Sequence, residues 1–286
     1  MTFIDYASKP PAAGFNPPRQ EHLANYRRVY RASEARVEKP ADEKAALRKY
    51  LAAYEKLGAK HVVVKARDNE STFGLKVTNE TAAEFCRKHG PRFVGFAGVD
   101  PHKGMAAVKE LEFAVRELGL RGLNLQCFEL KLAINDKRMY PLYAKCVELD
   151  VPVNIHTGIN FSTASLMDYG RPAYLDEVMQ HFPELRVCAS PPGWPWVEEL
   201  IGVAWRHPNV YIGVVAVRPK LLSLDDSGYK PLLAYGSKIL QDRILTGTSF
   251  PMQPLEQAYQ EFEALPLPDA VKRKWLFENA KNFLNL

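Results

Sequence analysis

Short apolar runs alternate with longer stretches in which apolar residues recur every three or four positions, and the alternation continues down nearly the whole chain. Runs of four to eight apolar or alternating residues read as strands, and three-to-four spacing reads as amphipathic helix. Eight strands are predicted: Thr2–Tyr6, His61–Ala66, Phe93–Val99, Gly122–Gln126, Val151–His156, Leu185–Ser190, Val210–Val214 and Arg243–Gly247. Helices are predicted over Asp42–Leu57, Asn79–His89, Met105–Leu118, Met139–Leu149, Pro172–His181, Trp196–His207, Pro231–Leu240, Leu255–Leu265 and Asp269–Phe283. Gly58 and Gly119 stop two of them, and Phe182-Pro183 and His207-Pro208 stop two more before a strand. Repeated strand–helix units build a parallel sheet, and eight of them over about 250 residues make a (β/α)8 barrel. The expected fold is an α/β TIM barrel forming one domain, residues 1–286.

A closed parallel barrel is covered by helices outside, so polar positions on its strands point into the lumen, and chemistry gathers at the strands' C-terminal ends. In Val151–His156 the residues Val151, Val153 and Ile155 share one face, while Pro152, Asn154 and His156 share the other. The neighbouring strand repeats the arrangement, with Leu123 and Leu125 opposite Asn124 and Gln126. The same alternation places Asp5, Ala7 and Lys9 together on the first strand with Tyr6 on the opposite face. It sends Cys188 and Ser190 inward on the sixth, and the eighth runs into Gly247-Thr248-Ser249. Plainer roles stand beside these. His156 can be a hydrogen-bonded structural histidine, Lys9 a solvated charge and Ser249 an ordinary loop serine, and Asn124 and Gln126 can satisfy one another.

Three long connections lie at the same end. Lys9–Lys39, with Pro10, Pro11, Pro17 and Pro18, is read as a lid-like insertion over about residues 9–40 or as a plain surface excursion; Asn160–Arg171 and Val215–Lys230 complete a partly covered mouth suited to a small ligand.

Composition narrows the function classes. With 286 residues and 47% hydrophobic content the chain can bury a sizeable core. The formal charge of +5 is mild and interspersed, with no basic run carrying aromatics, which argues against nucleic acid and leaves room for an anionic small molecule. Cys86, Cys127, Cys146 and Cys188 show neither C-x-x-C nor zinc spacing, which indicates reduced thiols. The N-terminus has no basic and apolar leader pattern and no run reaches membrane-spanning length, so a soluble, cytoplasmic protein without a membrane partner is expected.

Several motifs together resemble the amidohydrolase-related (type 2) family of the amidohydrolase superfamily, the group of aminocarboxymuconate-semialdehyde decarboxylase-like proteins. They are Ile4-Asp5, Phe93–Pro101, Gly119–Leu123, Val151–Gly158, Gly193–Trp196, Pro208–Tyr211, Gly247–Met252 and Glu278-Asn279-Ala280, covering nearly the whole chain. The resemblance implies a distorted TIM barrel whose Asp-x-His-x-His opening supplies two histidine ligands to a divalent metal. Here that stretch reads Asp5-Tyr6-Ala7-Ser8-Lys9. A further family ligand survives as His156, the catalytic histidine before Gly-Trp-Pro-Trp is Pro191, and the aspartate after Gly-Thr is Ser249. One histidine cannot hold zinc or manganese tightly, so neither metal nor other cofactor is expected.

The expectation is a metal-independent hydrolase or decarboxylase-like lyase acting on a small carboxylated or ring compound. His156 would serve as acid/base, Lys9 as cationic anchor and Ser249 as orienting group or nucleophile, with Asn124, Gln126, Asn154, Trp194 and Arg218 as substrate contacts. The alternative is an inactive homologue serving as a small-molecule-binding or partner subunit. The family resemblance implies a homodimer.

Overall fold

The computed structural model describes residues 2–16, 21–29 and 42–286, the side chain of Arg27 excepted. Positions 17–20 and 30–41 of the lid-like insertion, with Pro17 and Pro18, lie outside the described residues.

Eight parallel strands form the barrel: β1 Phe3–Ser8, β2 Ala59–Lys65, β5 Phe93–Gly98, β6 Leu123–Leu125, β7 Val153–His156, β8 Val187–Ser190, β9 Val210–Val214 and β10 Ile244–Thr246, neighbouring one another in that order. A small antiparallel hairpin, β3 Arg67–Asn69 and β4 Leu75–Val77, stands above β2. The helices are α1 Ala24–Val29, α2 Glu43–Leu57, α3 Glu70–Phe73, α4 Asn79–His89, α5 Met105–Arg116, α6 Cys127–Leu130, α7 Tyr140–Glu148, α8 Tyr174–His181, α9 Val197–Arg206, α10 Lys230–Gly236, α11 Leu255–Glu263, α12 Asp269–Arg273 and α13 Asn279–Phe283. A π-helical stretch, Lys274–Glu278, joins α12 to α13, so the last predicted helix is continuous but wider in its middle. All eight predicted strands are present with ends shifted by a few residues, and α4 coincides with its predicted span. Asp42 caps α2 by accepting from the Ala45 amide at 2.9 Å, and Gly58, at φ 72, ends it in the left-handed region that only glycine enters freely.

The apolar residues divide into two layers. Outward-facing positions such as Val62, Val64, Leu123, Leu125, Val153 and Ile155 pack under the helices. A smaller cluster of Ile4, Tyr6, Val63, Val94, Phe96, Cys188 and Leu245 fills the lower lumen, where Phe283 of α13 meets Tyr6 edge to face at 5.7 Å. The barrel is thus a plugged cup, open only toward the strands' C-terminal ends.

The first strand departs from strict alternation. Its pairing with β2 slips between Asp5 and Ser8, so Ile4, Tyr6 and Ala7 all belong to the inner cluster while Asp5 turns outward to Tyr54 of α2. The expectation that Asp5 shares a face with Ala7 and Lys9, with Tyr6 opposite, is corrected by this irregularity, which reverses the side-chain period at one point. Asp5 instead closes the barrel. Its carboxylate accepts from Tyr54 Oη at 2.6 Å, Thr248 Oγ1 at 2.7 Å, Thr248 N at 2.9 Å and Ala7 N at 3.1 Å. The Ser8–Phe250 bridge, Lys9 N to Phe250 O at 2.9 Å and Ser249 N to Ala7 O at 2.7 Å complete the seam between β10 and β1.

Candidate active site at the barrel mouth

The floor of the mouth is polar and largely self-satisfied. Register pairs Asn124 of β6 directly with Asn154 of β7, and Asn154 Nδ2 donates to Asn124 Oδ1 at 2.9 Å. Asn124 Oδ1 also accepts from Gln126 Nε2 at 3.0 Å, and Asn124 Nδ2 donates to the Ala66 carbonyl at 3.0 Å. Asn154 Oδ1 accepts from Ser190 Oγ at 2.8 Å and from Lys65 Nζ at 2.9 Å. The three predicted amides therefore do meet, chiefly by bonding one another, and Gln126 alone remains half-buried.

Lys65, at the end of β2, was not foreseen. Its ammonium reaches across the lumen to Asn154 and rests over the Tyr6 ring, 4.5 Å from the centroid. Burial lowers its pKa to about 8, against smaller raising effects from Cys188 and Asp5. The residue is half-buried.

Above this floor lies a tier of charge. The backbone at Ala66–Arg67 packs against Gly98, where a side chain has no room: a Cβ there would stand 2.4 Å from Arg67 N. Arg67 Nη1 donates to both oxygens of the fully buried Glu129 carboxylate at 3.0 and 3.2 Å. Glu129, in α6, also meets His22 Nε2 at 2.9 Å. Burial alone would push the Glu129 carboxyl up; Arg67 and His22 more than offset this and hold it below the usual range. Lys9 stands beside the pair. Burial first and the Arg67 charge second lower its pKa to about 8, with Glu129 working in the opposite sense.

The other predicted residues divide between the site and its surroundings. His156 is buried, edge-on to Phe128 at 4.7 Å, and burial takes its pKa down to about 4, leaving the imidazole neutral at ordinary pH. Its Nδ1 is buried without a hydrogen-bond partner. Ser249 is half-buried at the seam with φ 51, a left-handed backbone that is strained for serine. Trp194 is 38% exposed, its indole lying against Gly228, where a Cβ would come 2.8 Å from Nε1. Arg218 is turned to Glu261 of α11, with Nε 3.1 and 3.0 Å from the two carboxylate oxygens, and is not brought to the lysines. The described part of the first connection does cross the mouth: His22 stacks on Phe73 at 4.0 Å, Asn25 Nδ2 donates to Phe161 O at 3.0 Å, and Tyr26 packs against Phe128 and Phe161.

The profile of the amidohydrolase family matches residues 22–286. The chain belongs to this family. Among curated proteins, the chain is 25% identical over 249 residues to gamma-resorcylate decarboxylase of Rhodococcus jostii (strain RHA1), an alignment spanning 73% of this chain and 75% of that one. Among solved structures it is similar to an uncharacterised TIM-barrel protein from Bordetella bronchiseptica, at 29% identity, TM-score 0.83, and coverage of 100% and 99% of the two chains. It shares its fold with 2,6-dihydroxybenzoate decarboxylase from Rhizobium, at 17% identity, TM-score 0.65, and coverage of 99% and 98%.

An amidohydrolase of the expected pattern would hold a divalent cation through histidines and carboxylates. The residues here do not fit one. Among the described residues no three His, Cys, Asp or Glu side chains converge. Glu129 is already held by Arg67 and His22, and the Lys9 ammonium stands beside that pair. Hard or borderline cations need several converging O or N donors, and a neighbouring ammonium repels them.

Proposed function

We propose that this protein is a metal-independent carboxy-lyase acting on a small aromatic carboxylate. One observation carries the reading: the Lys9 ammonium is enclosed at the mouth, beside Arg67, without a hydrogen bond or ion pair of its own among the described residues. A substrate carboxylate would supply the missing counter-charge, and the water-poor setting strengthens that attraction. The kinship with gamma-resorcylate decarboxylase supports the reaction class.

The chemistry requires a proton at the ring carbon that bears the carboxylate. Lys9, held at about 8, can give and regain a proton near neutrality. It delivers that proton to the ring carbon, the bond to the carboxylate breaks, its electron pair restores the aromatic ring, CO2 leaves, and water reprotonates Lys9. His156, neutral and with Nδ1 unpartnered, acts as a fixed dipole toward the ring and not as the acid first expected of it, because at about 4 it carries almost no proton to donate.

The test is CO2 release from a panel of hydroxybenzoates by chelator-treated protein and by Lys9→Met. Turnover that survives chelation and falls at least ~100-fold in Lys9→Met supports the reading. A requirement for stoichiometric zinc or manganese, or full activity in Lys9→Met, sinks it. The self-satisfied amides of the floor favour a second reading, a non-catalytic binder, which predicts carboxylate binding without CO2 release.

A further inference from the structure

Lys65 is the last residue of β2, and the C-terminal ends of barrel strands are where this fold places reacting side chains. Among the described residues no carboxylate pairs with its amine. The acceptor it reaches, at 2.9 Å, is the neutral amide oxygen of Asn154, which also takes the Ser190 hydroxyl at 2.8 Å, and Nζ lies over the Tyr6 ring. The two acidic groups that act on the amine do not serve as counter-ions. Asp5 is turned to Tyr54 and Thr248, and burial favours its uncharged form. Burial pushes the Cys188 thiol, which is bonded to Tyr6, up to about 12, so it stays protonated. Such surroundings disfavour an ammonium and suit a free amine. As a free amine Lys65 keeps its bond to Asn154 and holds a lone pair to which no described group donates. A lysine desolvated in this way is a nucleophile near neutral pH. Lys9 differs, because a formal charge pair, Arg67 and Glu129, lies beside it.

We propose that Lys65 is a nucleophilic lysine that forms an imine with a small aldehyde or ketone. The lone pair of Nζ forms a bond to the carbonyl carbon, the carbonyl π bond breaks, and one proton moves from nitrogen to oxygen, giving a carbinolamine. The Ser190 hydroxyl, bonded to the same Asn154 oxygen as Nζ, is the group placed to relay that proton. The carbon–oxygen bond then breaks, hydroxide leaves with the second nitrogen proton as water, and a C=N bond remains. No oxidant or reductant is consumed. Once protonated, the C=N group draws electrons from the adjacent carbon and weakens the bonds made there. This activity goes beyond the carboxy-lyase reading and does not rest on it, because proton delivery by Lys9 makes no covalent bond to the protein.

The experiment treats the full wild-type chain with acetaldehyde and cyanoborohydride, which reduces an imine to a stable secondary amine, and locates the added ethyl groups by peptide mass spectrometry. Lys56 and Lys145 are internal references, since hydrogen bonds from Glu256 and Glu148 raise their pKa values. At pH 7 Lys65 should be labelled at least ~10-fold faster than either, because the free-amine fraction falls about ten-fold for each unit by which a pKa lies above the pH. The Lys65 rate should rise with pH and level off above about 8, where the amine is already free, while the reference rates keep climbing. Lys9→Met should leave the labelling of Lys65 within two-fold of the wild type. An unlabelled Lys65, labelling no faster than that of Lys56 and Lys145, or labelling of Lys9 in its place overturns the proposal. None of these three results bears on CO2 release, so the carboxy-lyase reading stands or falls by its own test.

Discussion

Asp5 lies in the first strand and Lys9 just past its end, four residues on, and their surroundings are opposite. The Asp5 carboxylate takes four donors from three segments; the Lys9 ammonium has no partner among the described residues. The Asp5 carboxyl is built into the fold, because three of the four bonds it accepts tie the first strand to α2 or to the loop after the last strand. The Lys9 ammonium is half-buried and left unpaired, and a cation in that state is the kind of group that the proposed reading has a ligand complete. At the end of this barrel, polar satisfaction separates residues that hold the structure from residues that await something.

The contrast can be broken or sharpened by substitution. The largest effect belongs to Asp5→Ala, which strands the Tyr54 and Thr248 hydroxyls and two amides at the seam and is expected to cost about 3–5 kcal/mol in denaturant unfolding. Asp5→Asn should cost clearly less, since burial already favours the uncharged form of this group. A loss under ~1 kcal/mol for Asp5→Ala would deny Asp5 its closing role.

Next comes the pH dependence contributed by His156. Its pKa falls from 6.5 to about 4 on folding, so between those values the unfolded chain binds more protons than the folded one. Stability is therefore lost as pH falls through that window, by roughly 3 kcal/mol from this group by pH 4. His156→Gln should remove that component, read as a flatter stability profile between pH 6.5 and 4; an unchanged slope would place the titration elsewhere. The smallest effect is expected for Arg218→Ala. Its pair with Glu261 is partly exposed, so removal should cost about 1 kcal/mol or less and leave benzoate affinity within two-fold. A ten-fold loss of affinity would return Arg218 to the site.

Much of this architecture is legible from residue order. Eight apolar strands separated by amphipathic helices admit few other folds, and Asn124 and Asn154 could be read as lumen neighbours because two adjacent strands repeat one alternation. Asp5 was misplaced because an irregularity in pairing leaves no mark on the apolar pattern. Arg67 and Glu129 were missed because β3 and α6 have only three and four residues, too few to display a period. Lys65 was within reach: in His61–Arg67 the alternation that sends Val63 inward also sends Lys65 and Arg67 inward. A lysine ending an apolar strand is ordinarily solvated, and sequence alone does not say that this strand stops short of the solvent.

The plug beneath the lumen gives the mouth a dependence on distant chain. Lys65 stands on Tyr6, and Tyr6 stands on Phe283 of the last helix. Until α13 docks, water would reach the amine from the far side, solvate it, and let its basicity return toward that of a free lysine. The electrostatics of the mouth thus depend on the seating of the final helix, so an incompletely assembled barrel would have all its site residues in sequence and not yet the setting around Lys65.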